Sequence, residues 1–92
     1  MGISENTIEN SISIYPNPTT NQITMEFELA ETKNVSIDIK NVLGQTVKII
    51  SNSEFRKGNN KIEIELSDLI NGVYFVQLES ENKRSNKKFI KE

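Results

Sequence analysis

The sequence predicts an all-β fold, an immunoglobulin-like β-sandwich of about seven short, mainly antiparallel strands. Apolar and polar residues alternate along several short segments, which is the pattern of strands with one buried face. Turn-forming Gly and Asn residues separate these segments, and none shows the apolar repeat of an amphipathic helix. Isoleucines outnumber leucines by more than two to one, and β-branched side chains fit a pleated sheet better than a helix.

The first eleven residues are polar and predict a linker or an artificial N-terminus, followed by a folded domain over residues 12–92. Ile12–Tyr15 is long enough for a short first strand. The chain's prolines then follow within Tyr15-Pro16-Asn17-Pro18. Proline fixes its own φ, lacks an N–H and restricts the residue before it. This segment therefore predicts a stiff, extended approach to a strand that starts at Gln22.

The next two strands show the strictest alternation. The apolar positions of the first are Ile23, Met25, Phe27 and Leu29. After a polar turn at residues 30–34, the second strand continues with Val35, Ile37 and Ile39. Residues 41–45 turn the chain, and Gly44 is the residue expected to take a positive φ.

The middle of the chain predicts two further strands. Residues 46–50 form one strand, and the polar residues 51–54 with the turn cluster at 56–60 predict a connection. Residues 61–66 form the next strand, with Ile62, Ile64 and Leu66 facing inward. Residues 67–70 predict a single helical turn capped by Ser67 or Asp68.

The last third predicts a central strand and an edge strand. Asn71-Gly72 introduces the run 73–78, in which both faces are largely apolar. Such a strand is buried between neighbours. A turn at residues 81–84 then leads to the last strand, residues 86–91.

The composition excludes most catalytic sites. The chain has no His and no Cys, so Ser/His and Cys/His nucleophile pairs and thiolate metal sites are excluded. Asp38 and Asp68 stand apart, which argues against a calcium loop. Two glutamate pairs have the i,i+2 spacing of a strand face, where a solvated surface explains them better than glycosidase chemistry. We therefore predict no enzyme, no catalytic residue, no metal site and no cofactor.

The charge is distributed unevenly. The net charge is −2, yet residues 83–92 carry five cations and one anion, which leaves six cations and twelve anions in residues 1–82. A basic end of this kind is either an edge strand protected from aggregation or a recognition element. The acidic body argues against a nucleic-acid partner, and no apolar run reaches the about 18 residues of a membrane span.

Four landmarks, in this order and spacing, resemble a known family. They are Tyr15-Pro16-Asn17-Pro18, the strand 35–39 running into Leu43-Gly44-Gln45, the segment 67–75 with Asn71-Gly72-Val73-Tyr74, and the end Lys87-Lys88-Phe89-Ile90-Lys91. From roughly Ile12 to Lys91 the chain resembles the type A C-terminal sorting domain of the type IX (Por) secretion system of Bacteroidetes.

The resemblance implies a secretion and sorting signal attached behind an N-terminal cargo domain. Such a signal passes through the periplasm and directs its cargo across the outer membrane to the cell surface or the medium. The implied partners are outer-membrane translocon components and a sortase-like cysteine peptidase that removes the domain, cutting upstream of Tyr15, and anchors many cargoes to an anionic lipopolysaccharide. The implied recognition residues are Tyr15, Pro16, Asn17, Pro18, Gly44, Asn71, Gly72, Tyr74, Lys87, Lys88 and Lys91.

Each of these signatures also has a structural interpretation. Tyr15–Pro18 could fix the start of a strand, Asn71-Gly72 could serve a turn, and Tyr74 could pack in the core with its hydroxyl bonded to the backbone. We expect the basic last strand to pair edge-on with an acidic groove of a partner. Deleting residues 87–92 should then abolish export and leave the core folded.

Two further expectations concern association and an alternative function. Exposed edges would allow a strand-paired or swapped dimer when the domain is excised. The alternative function is that of a surface adhesive or carbohydrate-binding immunoglobulin-like module.

Overall fold

Two antiparallel sheets make up the computed structural model, which describes residues 12–92. Its strands are β1 (Ser13–Tyr15), β2 (Gln22–Leu29), β3 (Lys33–Lys40), β4 (Thr46–Phe55), β5 (Gly58–Glu65), β6 (Gly72–Ser80) and β7 (Lys83–Lys91). One sheet has the order β1-β2-β5 and the other the order β4-β3-β6-β7. The chain changes sheet after β2, β4 and β5, as in immunoglobulin-like sandwiches. The predicted all-β sandwich is confirmed, and the predicted linker at residues 1–11 lies outside the described residues.

The core consists of the alternate side chains that the two sheets turn toward each other. All four predicted inward residues of β2 are buried, and so are the three of β3. A fully buried aliphatic or aromatic side chain contributes about 1.5–3 kcal/mol relative to an exposed one. A one-residue slip would turn every one of these side chains to solvent, so the alternation fixes the register of β2 on β5 and of β3 on β6.

Tyr74 joins β6 to the loop that precedes it. Its side chain is buried, and its ring stacks on Phe89 with the ring centroids 5.8 Å apart. The Tyr74 hydroxyl donates a hydrogen bond of 2.6 Å to the carbonyl oxygen of Ile70. A tyrosine near the start of this strand that bonds the backbone a few residues upstream is the tyrosine corner of immunoglobulin-like domains. The structural interpretation of Tyr74 is confirmed.

The position of Phe89 corrects an expectation about the last strand. Its side chain is fully buried, and it lies opposite Tyr74 in the β6–β7 ladder. Deleting residues 87–92 would therefore remove a core aromatic residue together with five of the nine residues of β7. The expectation that this deletion leaves the core folded is wrong.

β4 is longer than predicted. It continues through the polar residues 51–54 to Phe55, because each residue from 51 to 55 pairs with a residue of β3. Phe55 packs edge-on against Phe27, with ring centroids 5.3 Å apart. Pairing with a buried neighbour overrides the low strand propensity of the serines and the asparagine. The predicted turn cluster at 56–60 is correspondingly shorter, since β5 already begins at Gly58.

Residues 67–70 do not form the predicted helical turn. The Leu69 N–H donates to the Leu66 carbonyl at 2.9 Å, which closes one tight turn. The chain crosses here from one sheet to the other between Glu65 and Gly72. This connection is too short for further helical hydrogen bonds. Asp68 instead accepts a hydrogen bond of 3.0 Å from the Lys48 ammonium.

Candidate functional site

Antiparallel pairing brings three loops and the chain end to one end of the sandwich. β1, β3, β5 and β7 finish there, and β2, β4 and β6 start there. The loops are residues 16–21, 41–45 and 66–71, and the chain end is residues 91–92. We call this set of residues the distal end, because the first strand runs toward it.

The predicted recognition residues lie at or beside the distal end. Four of them form or adjoin the first loop, and Gly44 is in the second with a φ of 83°. Asn71 ends the third loop, next to Gly72 at the start of β6. Lys91 pairs with Gly72, and Tyr74 is opposite Phe89. Lys87 is farther away, opposite Val76 in the middle of β6. The sequence predicted these segments separately, and the topology brings them together.

The proline loop contacts the end of β7. The Asn17 amide nitrogen donates to the Lys88 carbonyl oxygen at 3.3 Å, and the Ile90 N–H donates to the Asn17 amide oxygen at 3.0 Å. One side-chain amide therefore acts as both donor and acceptor, as a neighbouring strand residue would. The predicted extended approach to β2 is wrong, because residues 16–18 bend and lie against β7.

Thr19 extends this contact with its backbone. Its N–H donates to the Ile90 carbonyl at 2.9 Å, and the Glu92 N–H donates to the Thr19 carbonyl at 2.8 Å. Thr19 is buried, and its hydroxyl donates to the Gln22 carbonyl at 2.6 Å. We call the four bonds from Asn17 and Thr19 to β7 and Glu92 the edge clip. The edge clip joins the two sheets across 71 to 73 residues of sequence.

Gly72 lies on the other side of the end of β7. A Cβ atom added to it would meet the Tyr74 ring at 3.8 Å, which is an ordinary contact. Its φ is also outside the left-handed region that favours glycine. The fold therefore has room for a larger residue here, so neither packing nor φ requires the glycine.

The lysines of β7 divide between its two faces. Lys88 points to the outer face and is exposed, whereas Lys87 and Lys91 lie on the core-facing side, with Lys91 only 8% exposed. Within residues 12–92, no carboxylate lies at ion-pair distance from these three lysines. The positive charges of the exposed Lys88 and the half-buried Lys87 are therefore available to an acidic partner.

Tyr15 is bound to the outer face of the three-stranded sheet. Its hydroxyl donates a hydrogen bond to the Glu26 carboxylate, and the Asn59 amide donates another at 3.2 Å. The first bond raises the pKa of Tyr15. The same bond, followed by that from Asn59, lowers the pKa of Glu26.

The distal end also exposes apolar side chains that sequence reasoning missed. Val42 is 67% exposed, Leu43 78% and Ile70 81%. Apolar residues at turn positions were the available signal, since turns ordinarily carry polar side chains there. Their exposure is typical of contact with another protein.

The described part of the chain offers no catalytic arrangement. It contains no cluster of acidic residues that could hold a metal ion. Nor does any helix within residues 12–92 have the length and apolar character to cross a membrane. The distal end can present a backbone edge, exposed apolar groups and unpaired cations, which is the chemistry of protein recognition.

The chain was compared with known proteins. The profile of the family described as the secretion system C-terminal sorting domain matches residues 13–92. This match includes every described strand and the whole distal end. A search of curated proteins finds no match.

Asn17→Ala should weaken the domain through loss of the edge clip. It removes two hydrogen bonds, and we expect a loss of about 1–2 kcal/mol in the free energy of unfolding, measured by urea denaturation. Amide hydrogen exchange at Ile90 should accelerate more than exchange at Phe89, because only the Ile90 N–H bonds Asn17. Asn52→Ala on β4 is the matched control, since no side-chain bond of Asn52 is described. Equal effects of both substitutions would contradict the role of Asn17.

Acid should destabilise the native domain more than a Glu26→Gln variant. The folded state holds the pKa of Glu26 below its ordinary value, so this stabilisation is present above the ordinary glutamate pKa. It is lost as the pH falls through the lowered pKa. Between about pH 7 and about pH 3, we expect the midpoint of urea denaturation to fall further for the native chain than for the Glu26→Gln variant. Asp68, whose pKa Lys48 also lowers, contributes equally to both proteins. Identical drops would contradict the Tyr15–Glu26 contact.

Proposed function

We propose how this domain acts from one premise, that the chain belongs to the family of secretion system C-terminal sorting domains. Members of the family are the sorting signals of cargo proteins exported by the type IX secretion system, and the family is not catalytic. The domain is therefore the sorting signal of a cargo protein that is secreted or displayed at the cell surface.

The observation that carries the proposal is the assembly of the signature segments at the distal end. Recognition by a translocon requires groups that a partner can reach, and this end offers exposed apolar side chains and, beside them, the exposed cation of Lys88. We infer that outer-membrane translocon components bind the distal end during passage from the periplasm. The cargo would then be held on the opposite side, beyond residues 1–11 acting as a linker.

The signature residues have two kinds of role in this proposal. Asn17 and Tyr74 act through the fold, since their polar groups bond the backbone of β7 and of the β5–β6 loop. Pro16 and Pro18 would hold the loop that carries Asn17. Contact with the partner is assigned to Tyr15, Gly44, Asn71, Gly72, Lys87 and Lys88, whereas the buried Lys91 would act through the fold.

We propose two later steps. A sortase-like cysteine peptidase would remove the domain by cutting upstream of Tyr15, and would attach the cargo to the cell surface. The domain would supply no reacting group to that cleavage, in line with an absence of enzymatic activity. Once excised, it could pair or swap strands through its open edges.

The alternative of carbohydrate binding has less support. Sugar-binding modules stack their ligand on exposed aromatic rings. Among the described residues, Tyr15 is the aromatic side chain with more than a third of its surface exposed, and its hydroxyl is already bound to Glu26. A single engaged ring does not make a stacking platform.

Fusion of this chain behind a reporter enzyme tests the proposal. In a host with a type IX secretion system, we expect reporter activity outside the cell, and we expect it inside the cell when the translocon is deleted. Val76→Asp is the matched control, because it keeps every signature residue while placing a charge at a fully buried position. An unpaired buried charge unfolds a small domain.

The outcomes of this experiment are distinct. Export that needs both the translocon and an intact Val76 supports a folded sorting signal. Export that persists without the translocon would contradict the function, and export of the Val76→Asp variant would show that a linear segment is read instead.

A further inference from the structure

We propose that one half of the free edge of β7, residues 84–88, is the docking strand for an acidic, extended segment of a partner protein. We call it the open edge. This inference rests on the proposed sorting function and adds a second partner contact, on the strand that leads to the distal end. The partner is identified by its chemistry, an exposed strand or loop rich in Asp and Glu.

The backbone of β7 shows which groups face outward. Ile90 directs both its N–H and its C=O to the edge clip, away from β6. Backbone groups alternate along an antiparallel strand, so Lys88, Asn86 and Arg84 face the same way. The Lys88 carbonyl is taken by Asn17. The remaining outward groups, both of Arg84, both of Asn86 and the Lys88 N–H, have no backbone partner among the described residues.

The edge clip sets the boundary of the open edge. Asn17 and Thr19 occupy the outward groups from the Lys88 carbonyl to Glu92. A strand that added to β7 would therefore end at Lys88 and could form up to five hydrogen bonds before it. Pairing of a partner strand with a free sheet edge is a common mode of protein recognition.

The charge on the open edge selects an acidic partner. Arg84 and Lys88 point to the outer face beside the outward backbone groups, and Lys83 and Lys87 lie next to them on β7. Of these four cations, Arg84 has a carboxylate partner in the described residues, the exposed Glu79 at 3.9 Å. Opposite charges directly across two paired strands stabilise the pair, and like charges destabilise it.

The other sheet edges are less suited to this role. β1 has only three residues. β4 has few charges and two register irregularities, and such irregularities twist an edge away from a partner. β5 carries Lys61, Glu63 and Glu65, so charges of both signs alternate with its apolar residues. Among the sheet edges formed by residues 12–92, the open edge is the one that combines unpaired backbone groups with charge of one sign.

A groove on the outer face adjoins the open edge. It has a volume of about 420 Å³, its floor includes Phe75 and Gln77, and Arg84 and Asn86 line the side nearest the edge. The turn that contains Gly44 forms the far side. Side chains of a docked strand could enter this groove, where the guanidinium of Arg84 would meet a carboxylate.

Protection against aggregation is the competing explanation for these cations, since lysines commonly keep edge strands from pairing. The two explanations differ in what they require of the backbone. Protection needs only charge, whereas docking also needs the outward N–H of Asn86.

Export of the reporter fusion distinguishes them. Asn86→Pro removes the outward N–H without altering the charge or any bond to β6, and proline is tolerated on edge strands. Asn86→Ala keeps the N–H and is its control. The double variant Arg84→Gln/Lys88→Gln removes two positive charges from the open edge. The double variant Lys57→Gln/Lys61→Gln is its control, because it removes two positive charges outside the open edge. Thermal unfolding of each domain is measured alongside.

We expect Asn86→Pro and Arg84→Gln/Lys88→Gln each to lower export by about tenfold, with both controls near the native level. Unchanged export of Asn86→Pro would overturn strand pairing. Unchanged export of the Arg84→Gln/Lys88→Gln fusion would contradict an acidic partner. This result can be interpreted even if Asn86→Pro unfolds the domain. A loss of export in every variant and control would overturn the site. None of these outcomes bears on the translocon dependence of the unmodified fusion, which tests the sorting function separately.

Discussion

The edge clip is the interaction on which the arrangement of the distal end depends. The final residues of β7 would otherwise end at an unpaired sheet edge, where strands fray. One asparagine side chain and one threonine backbone replace the missing neighbour, with bonds of 2.8–3.3 Å. They hold the last strand in place and attach the three-stranded sheet to the four-stranded one. Tyr74 does the same from inside, through its contacts with Phe89 and the Ile70 carbonyl.

This constraint explains why segments far apart in sequence act as one surface. The proline loop keeps Asn17 against β7, and the pairing of Gly72 with Lys91 fixes the opposite side of the same strand end. What the secretion system would read is therefore a product of folding. The edge clip also leaves part of the same edge open. One half of β7 is therefore closed and stabilises the fold, and the other half is open and can bind a partner.

Much of the fold could be predicted from sequence, because each strand carries its own signal. The alternation in β2 and β3 identified their buried faces, and Gly44 identified a turn. The extension of β4 and the crossing at residues 67–70 could not be predicted in this way, since both depend on pairing between distant strands. For the candidate site, sequence identified the signature residues. It did not indicate that Asn17 bonds Ile90, because nothing local to either residue encodes a contact across 73 positions.

The central claim is that the secretion system recognises the distal end in the arrangement that the edge clip holds in place. The most direct measurement compares export of the reporter fusion carrying Asn17→Ala with export of a fusion carrying Tyr74→Phe, which loses a buried hydrogen bond worth about 1–2 kcal/mol. Both are assayed well below their unfolding midpoints. The account predicts that Asn17→Ala lowers export more strongly than Tyr74→Phe at a similar loss of stability, because it releases the strand end directly. Equal export of the two variants at a similar loss of stability would contradict the central claim.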